Sequence, residues 1–300
     1  MTPFRENLRG ILAITACNFL FLINDTQMKL LSADLPLGEI IFLRGLFATV
    51  FLAPFVFFTG AHVHLPALAS RAFVWRTIAE ILAAYFFLLA LFHIPIANAN
   101  TILQVVPLAI TAAAAFFFRE PVGWRRWTAI IIGFIGVLIV IRPGFAGFNA
   151  FSLLTLTSVL FITLRDIATR IMPRGIPALV MAQVTAIAVC CTGPVWSLIS
   201  GEQWVMPGPR SIALVAGAAA FLLGGYLTAV VFMRHGDIAV VAPFRYTVIV
   251  WAIVVGYLVW GEAPDGVTLV GTAIIIATGV YTFHRERRIA IRASVAAVGE

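Results

Sequence analysis

One stretch of this chain occurs twice, and the repeat limits the accessible folds more than any other feature. Residues 90–143 read ALFHIPIANANTILQVVPLAITAAAAFFFREPVGWRRWTAIIIGFIGVLIVIRP, a long apolar run closed by Arg-Glu-Pro and followed by a shorter run punctuated by glycine. A second version begins near Phe232, where His93 falls on His235, Ala97 on Ala239, Gln104 on Tyr246 and Glu120 on Glu262. One inserted residue then brings Gly123 onto Gly266 and Gly136 onto Gly279. Earlier in each copy Asp25 falls on Asp166, Lys29 on Arg170, Pro36 on Pro177, Gly60 on Gly201 and Tyr85 on Tyr226. Nearly the whole chain is therefore a tandem duplication. A single long period points to a two-fold assembly, because a solenoid needs several short repeats.

With 62% hydrophobic and 11% charged residues, the chain lies outside the range of soluble globular domains. Its apolar runs are about 20 residues long, enough for a helix to cross a hydrocarbon layer of roughly 30 Å. They predict ten spans near residues 9–31, 38–59, 73–92, 96–118, 124–142, 150–171, 177–200, 211–232, 238–260 and 266–283. Proline and glycine mark the joints, among them Pro36, Gly60, Pro66, Pro95, Pro121, Pro143, Pro173, Pro177, Pro207, Gly236 and Pro264. Arg5 and Arg9 precede the first run, and Ile14-Thr15-Ala16-Cys17 resembles a lipoprotein cleavage box. Only about four apolar residues separate Arg9 from that box, fewer than the roughly 7 to 15 of a signal peptide, so an uncleaved first span is expected.

The net charge of +7 is spread singly or in small groups between apolar spans, which excludes a nucleic-acid footprint and makes the basic residues topology signals. Arg5, Arg9, Arg71, Arg76, Arg119, Arg125, Arg126, Arg165, Arg170, Arg174, Arg234 and the tail group Arg285, Arg287, Arg288 and Arg292 fall on one side. Lys29, Arg142 and Arg210 remain for the other. The positive-inside rule then places both termini in the cytoplasm. Five spans per copy is an odd number, so the second copy enters from the opposite face. The expected fold is an all-α membrane protein of ten helices, two inverted five-helix repeats around a central cavity, with repeats at residues 1–145 and 146–284 and a basic cytoplasmic tail at 285–300.

Arg44, Arg76, the Ala97–Pro107 segment, Glu120-Pro121, Gly133 and Gly136, with the echoes Ala239, Glu262 and Gly279, resemble the drug/metabolite transporter superfamily, specifically its ten-helix members with two EamA-type repeats. The resemblance covers most of the chain and is closest to amino-acid exporters of Gram-negative inner membranes. It implies helices 1 to 4 and 6 to 9 around a central cavity, with helices 5 and 10 peripheral. The small four-helix multidrug relatives carry a mid-membrane Glu in their first helix; here that helix offers Asn18, Asn24 and Asp25.

Polar groups inside apolar spans are costly and mark cavities or partners. Asn100, Gln104, Pro107 and Thr111 share one face of the fourth span, either lining a cavity or bonding to neighbouring helices. Asp25 with Lys29, and Asp166 with Arg170, stand one turn apart, either as surface ion pairs or as gating contacts between repeats. Arg44, Glu80 and Arg245 lie deep in their spans, and Arg76 sits one turn before Glu80. Glu80 is either a structural partner of Arg76 or a site for a proton or a substrate ammonium. Tyr85, Tyr246 and Trp251 offer aromatic walls. The expected substrate site combines Gln104, Tyr246, Asn100, Glu80, Tyr85 and Trp251. Asp25, Lys29, Asp166, Arg170, Arg44, Arg76 and Arg245 serve as gating or structural pairs.

Several chemistries drop out. The only lysine is Lys29, in Met-Lys-Leu, so no Walker A loop exists and no nucleotide is expected. His62 and His64 lack carboxylate or cysteine neighbours for a metal site, and Cys17, Cys190 and Cys191 sit in apolar runs as packing residues. No catalytic group, metal or cofactor is expected. The reading is a secondary transporter exporting aromatic and other neutral amino acids, or similar small metabolites, by alternating access in the bacterial inner membrane, as a monomer or homodimer. A lipid or polyprenyl-carrier flippase and an intramembrane enzyme are the alternatives. Single cysteines placed in the Arg119–Arg126 loop should resist an impermeant thiol reagent applied to intact cells, while cysteines in the Glu262–Asp265 loop should react. The reverse pattern would overturn the inverted arrangement.

Overall fold

Apolar runs become helices here because a helix satisfies its own N–H and C=O groups where no water is available. The computed structural model describes residues 3–58, 70–119, 122–145, 148–172, 176–234 and 238–298. Among them the helices are α1 (Pro3–Leu31), α2 (Leu37–Phe58), α3 (Arg71–Leu91), α4 (Ile96–Leu103), α5 (Val106–Phe117), α6 (Trp124–Ile141), α7 (Phe151–Ile171), α8 (Ala178–Ser200), α9 (Pro209–Arg234), α10 (Ile238–Val241), α11 (Thr247–Trp260) and α12 (Gly266–Val298). Among the described residues ten segments are long and apolar enough to cross a membrane. Helix α12 runs on to Val298 without a break at the expected start of the tail. Gly60, Glu120, Pro121 and the His62 and His64 pair lie outside the described residues.

Two spans are broken, at repeat-matched places. The fourth divides into α4 and α5 at Gln104 and Val105, whose N–H groups donate three residues back, to Thr101 at 3.1 Å and Ile102 at 3.2 Å. Pro107 explains the break, since its ring has no N–H to donate and collides with the carbonyl four residues earlier. The ninth divides around a 3-10 turn at Ala242–Tyr246 that contains Pro243. Asn18 repairs that second break: its amide donates to the carbonyls of Arg245 at 3.0 Å and Phe244 at 3.3 Å, and to Thr247 Oγ1 at 3.2 Å. Gln104 follows the last residue of α4 as its C-cap and its repeat partner Tyr246 precedes α11, so the matched residues occupy matched breaks.

The chain divides into two compact units, each containing corresponding parts of both copies. In one, formed by Phe19–Ile94 and Leu154–Leu227, α2 packs on its repeat twin α8. A Cβ on Gly45 would stand 2.7 Å from the Cα of Cys190, so the two backbones touch. In the other, formed by Met1–Asn18, Pro95–Leu153 and Thr228–Glu300, α6 packs on its twin α12. There a Cβ on Gly271 would lie 2.7 Å from the Gly136 carbonyl oxygen. Small residues permit this approach, and close contact replaces the hydrophobic drive that lipid removes.

Carboxylates finish helix ends within each unit. Glu262 accepts the N–H of Ile96 at 3.1 Å and so completes the start of α4, while Glu202 accepts that of Gly38 at 3.0 Å at the start of α2. Asp265 pairs with Arg142 and accepts the Thr268 N–H at 3.0 Å, joining the end of α6 to the start of α12. The Arg142 guanidinium holds the Asp265 carboxyl well below the usual carboxylate range.

Gly45→Val and Gly136→Val should each destabilise the protein by about 1 to 3 kcal/mol through overpacking. Gly266→Ala, where a new Cβ meets nothing within 4 Å, serves as the neutral control in thermal unfolding in detergent.

Candidate functional site

Helix α3 opens on Ser70, whose hydroxyl accepts the Phe73 N–H at 3.3 Å. One turn into the membrane-spanning run it presents Arg76, and one turn further Glu80. Arg76 stands 3.7 Å from the Glu80 carboxylate and donates to Thr185 Oγ1 of α8 at 2.9 Å. Arg165 of α7 reaches the same carboxylate, with Nη1 at 3.3 Å from both Glu80 oxygens. Its Nε donates to the neighbouring Asp166 at 2.8 Å. Two guanidinium groups thus converge on one carboxylate while a second carboxylate holds one of them. Mutual pairing is the condition for keeping such charges inside an apolar layer.

Beside this cluster lies a cavity of about 40 Å³, lined by Arg44, Gly45 and Leu52 of α2, Glu80 and Ala84 of α3, Thr185 and Val189 of α8, and Leu222 and Tyr226 of α9. At roughly 10 to 15 Å³ of such volume per water, it has room for about three waters. Arg44 forms no salt bridge among the described residues. It acts at longer range on Asp25 and Tyr226. The wall therefore offers an anion-binding fork at Arg44, an acceptor at Glu80, and a hydroxyl and ring at Tyr226.

The other residues singled out by sequence occupy a range of settings. Asp25 accepts from Asn24 at 2.9 Å, and Lys29 donates to the Ile94 carbonyl at 2.7 Å just beyond the end of α3. Arg170 is exposed near the end of α7. The Tyr85 ring packs 4.4 Å from Trp196 and does not line the cavity, whereas its repeat partner Tyr226 does.

Asn100, Gln104, Tyr246, Trp251 and Arg245 belong to the other compact unit. Asn100 donates back to the Ile96 carbonyl of its own helix at 3.1 Å. Gln104 Oε1 and Tyr246 Oη are buried without a hydrogen-bond partner among the described residues. The Tyr246 hydroxyl lies against Gly279 of α12, where any Cβ would collide with it. Trp251 is partly buried on α11, and Arg245 lies in the 3-10 turn.

Arg165 was legible only as a topology signal. Its position six residues before the end of a helix, next to Asp166, is the pattern that sets it apart from a loop arginine.

The EamA-like transporter family matches residues 8–142. An S-adenosylmethionine uptake transporter of Rickettsia felis is 27% identical over 88% of this chain and 89% of its own length. The pseudopaline exporter CntI of Pseudomonas aeruginosa is 25% identical over 89% and 93%, and a riboflavin transporter of Vibrio cholerae 24% over 94% and 95%. One solved crystal structure shares the fold, with a TM-score of 0.63 at 19% identity over 96% of this chain and 99% of that one.

Glu80→Gln should lower thermal stability by about 3 kcal/mol, because it leaves Arg76 and Arg165 without their shared counter-charge. The double variant Glu80→Gln with Arg165→Gln should recover part of that loss. Additive losses in the double-mutant cycle would show that the pair is not coupled.

Proposed function

We propose that this membrane transporter, which belongs to the EamA-like family through its match at residues 8–142, carries amino acids or closely related zwitterionic metabolites across the bacterial inner membrane as a secondary transporter. The observation that carries the reading is the cavity between α2, α3, α8 and α9, where Arg44 lines one part of the wall and Glu80 another. A zwitterion places its carboxylate on the Arg44 fork and its ammonium on the Glu80 carboxylate, with the Tyr226 ring beside an apolar or aromatic side chain. The relatives' names span S-adenosylmethionine, pseudopaline and riboflavin, so the amino-acid preference rests on this wall and not on kinship.

A cavity of about 40 Å³ is too small for an amino acid, so loading requires α2, α3, α8 and α9 to separate locally. That demand agrees with alternating access, as do the twin helices packed on each other and the matched breaks in the fourth and ninth spans. Export is the direction proposed. Gln104 and Tyr246 belong to the other compact unit and are no part of this wall; their buried polar atoms have no partner among the described residues and make them a separate candidate.

Proteoliposomes should take up neutral and aromatic amino acids down a concentration gradient in either direction without ATP, in a competitive panel run with and without a pH gradient. Arg44→Gln should lower affinity for zwitterions about tenfold or more, since a charge-assisted pair is worth roughly 1.5 to 3 kcal/mol. Strict ATP dependence, or an Arg44→Gln variant that retains wild-type affinity, would refute the reading. If Glu80→Gln leaves the pH dependence of transport unchanged, Glu80 is not a proton site.

A further inference from the structure

Helices α6 and α12 touch at Gly136 and Gly271, and a groove opens between them toward the start of α6. At the contact, a Cβ on Gly136 would meet Ile274 and Ile275 at 3.0 Å. Starting about one turn away the helices leave a groove of about 380 Å³, with Thr128, Ala129 and Ile132 on one wall and Ala277 and Thr278 on the other. Its mouth carries Trp124, Arg125 and Tyr281. Trp124 is 72% and Tyr281 45% exposed, large aromatic surfaces of the kind that settle at headgroup depth. The Arg125 guanidinium stands 5.3 Å from the centroid of the Trp124 ring, which holds it at the mouth.

We propose that this groove is a binding site for an anionic phospholipid, with one acyl chain between α6 and α12 and the lipid phosphate on Arg125. Charge decides the headgroup. Among the described residues no carboxylate lines the groove, so a choline or ethanolamine ammonium finds no partner in that lining, whereas a phosphate finds a planar fork of N–H donors. Helix α6 also begins at Gly123 with no side-chain cap, so the positive end of its dipole points to the same place. The apolar walls fit the chain. The glycine contact below closes the groove, so the chain enters from the Trp124 end and stops at the helix crossing.

The test is native mass spectrometry of the purified full chain in micelles containing equal amounts of phosphatidylglycerol and phosphatidylcholine. Wild-type protein should retain phosphatidylglycerol preferentially. Arg125→Gln should weaken that retention about fivefold and leave phosphatidylcholine unchanged, in line with one basic residue at an anionic surface. Ala277→Trp, which fills the groove from an exposed position, should reduce retention of both lipids. Melting temperatures in lipid-free detergent establish that the variants are folded. Equal retention of the two lipids by wild type overturns the proposal without recourse to any variant. Unchanged phosphatidylglycerol retention in both variants overturns it as well.

Discussion

Glu80 is the point on which one compact unit depends, because it neutralises guanidinium groups that the apolar layer would otherwise not accept. A charge in the middle of a membrane helix costs several kcal/mol unless something opposes it. Arg76 and Arg165 lie on different helices, from different copies of the duplication, and both meet the same carboxylate. The ion pairs therefore tie α3 to α7 as they cancel charge. Arg76 extends the tie to α8 through Thr185. Arg44 stands outside this closed set, which leaves it as the cavity arginine with capacity for a ligand anion.

The same logic governs backbone groups. Asn18 meets the carbonyls freed at the 3-10 turn of the ninth span, and Glu262 meets an N–H at the start of α4. Glu262 was conspicuous in the sequence as an echo of Glu120. The structure gives it a physical task, since a carboxylate at a helix N-terminus offsets the exposed N–H groups there.

Hydropathy and duplication made the ten spans legible because both are properties of segments about 20 residues long. The charged cluster was half legible. Arg76 and Glu80 are a turn apart on one helix, so their neighbourhood follows from helical geometry alone. Arg165 comes from a helix that begins about 70 residues later, and no periodicity connects it to Glu80. The choice between Tyr85 and Tyr226 was equally hidden. The two are repeat partners with the same local pattern, and only packing sends one to Trp196 and the other to the cavity wall. The break in the fourth span was hidden for another reason. A helical-wheel reading assumes an unbroken helix, whereas α4 ends at Leu103 and α5 begins at Val106.

Tyr246 shows how a polar aromatic in a membrane helix can serve packing. Its hydroxyl fills the space left by Gly279, so the ring locks the 3-10 turn of the ninth span against α12. A turn with fewer intrahelical bonds is the most deformable part of that span, and bracing it from α12 fixes where the chain bends. The glycine that admits the ring is repeat-matched to Gly136, which in its own copy admits the close approach of α12. One position of the duplicated pattern thus keeps its lack of a side chain but receives different neighbours: a tyrosine in one copy, a helix backbone in the other. The two matched positions share the vacancy and differ in what fills it.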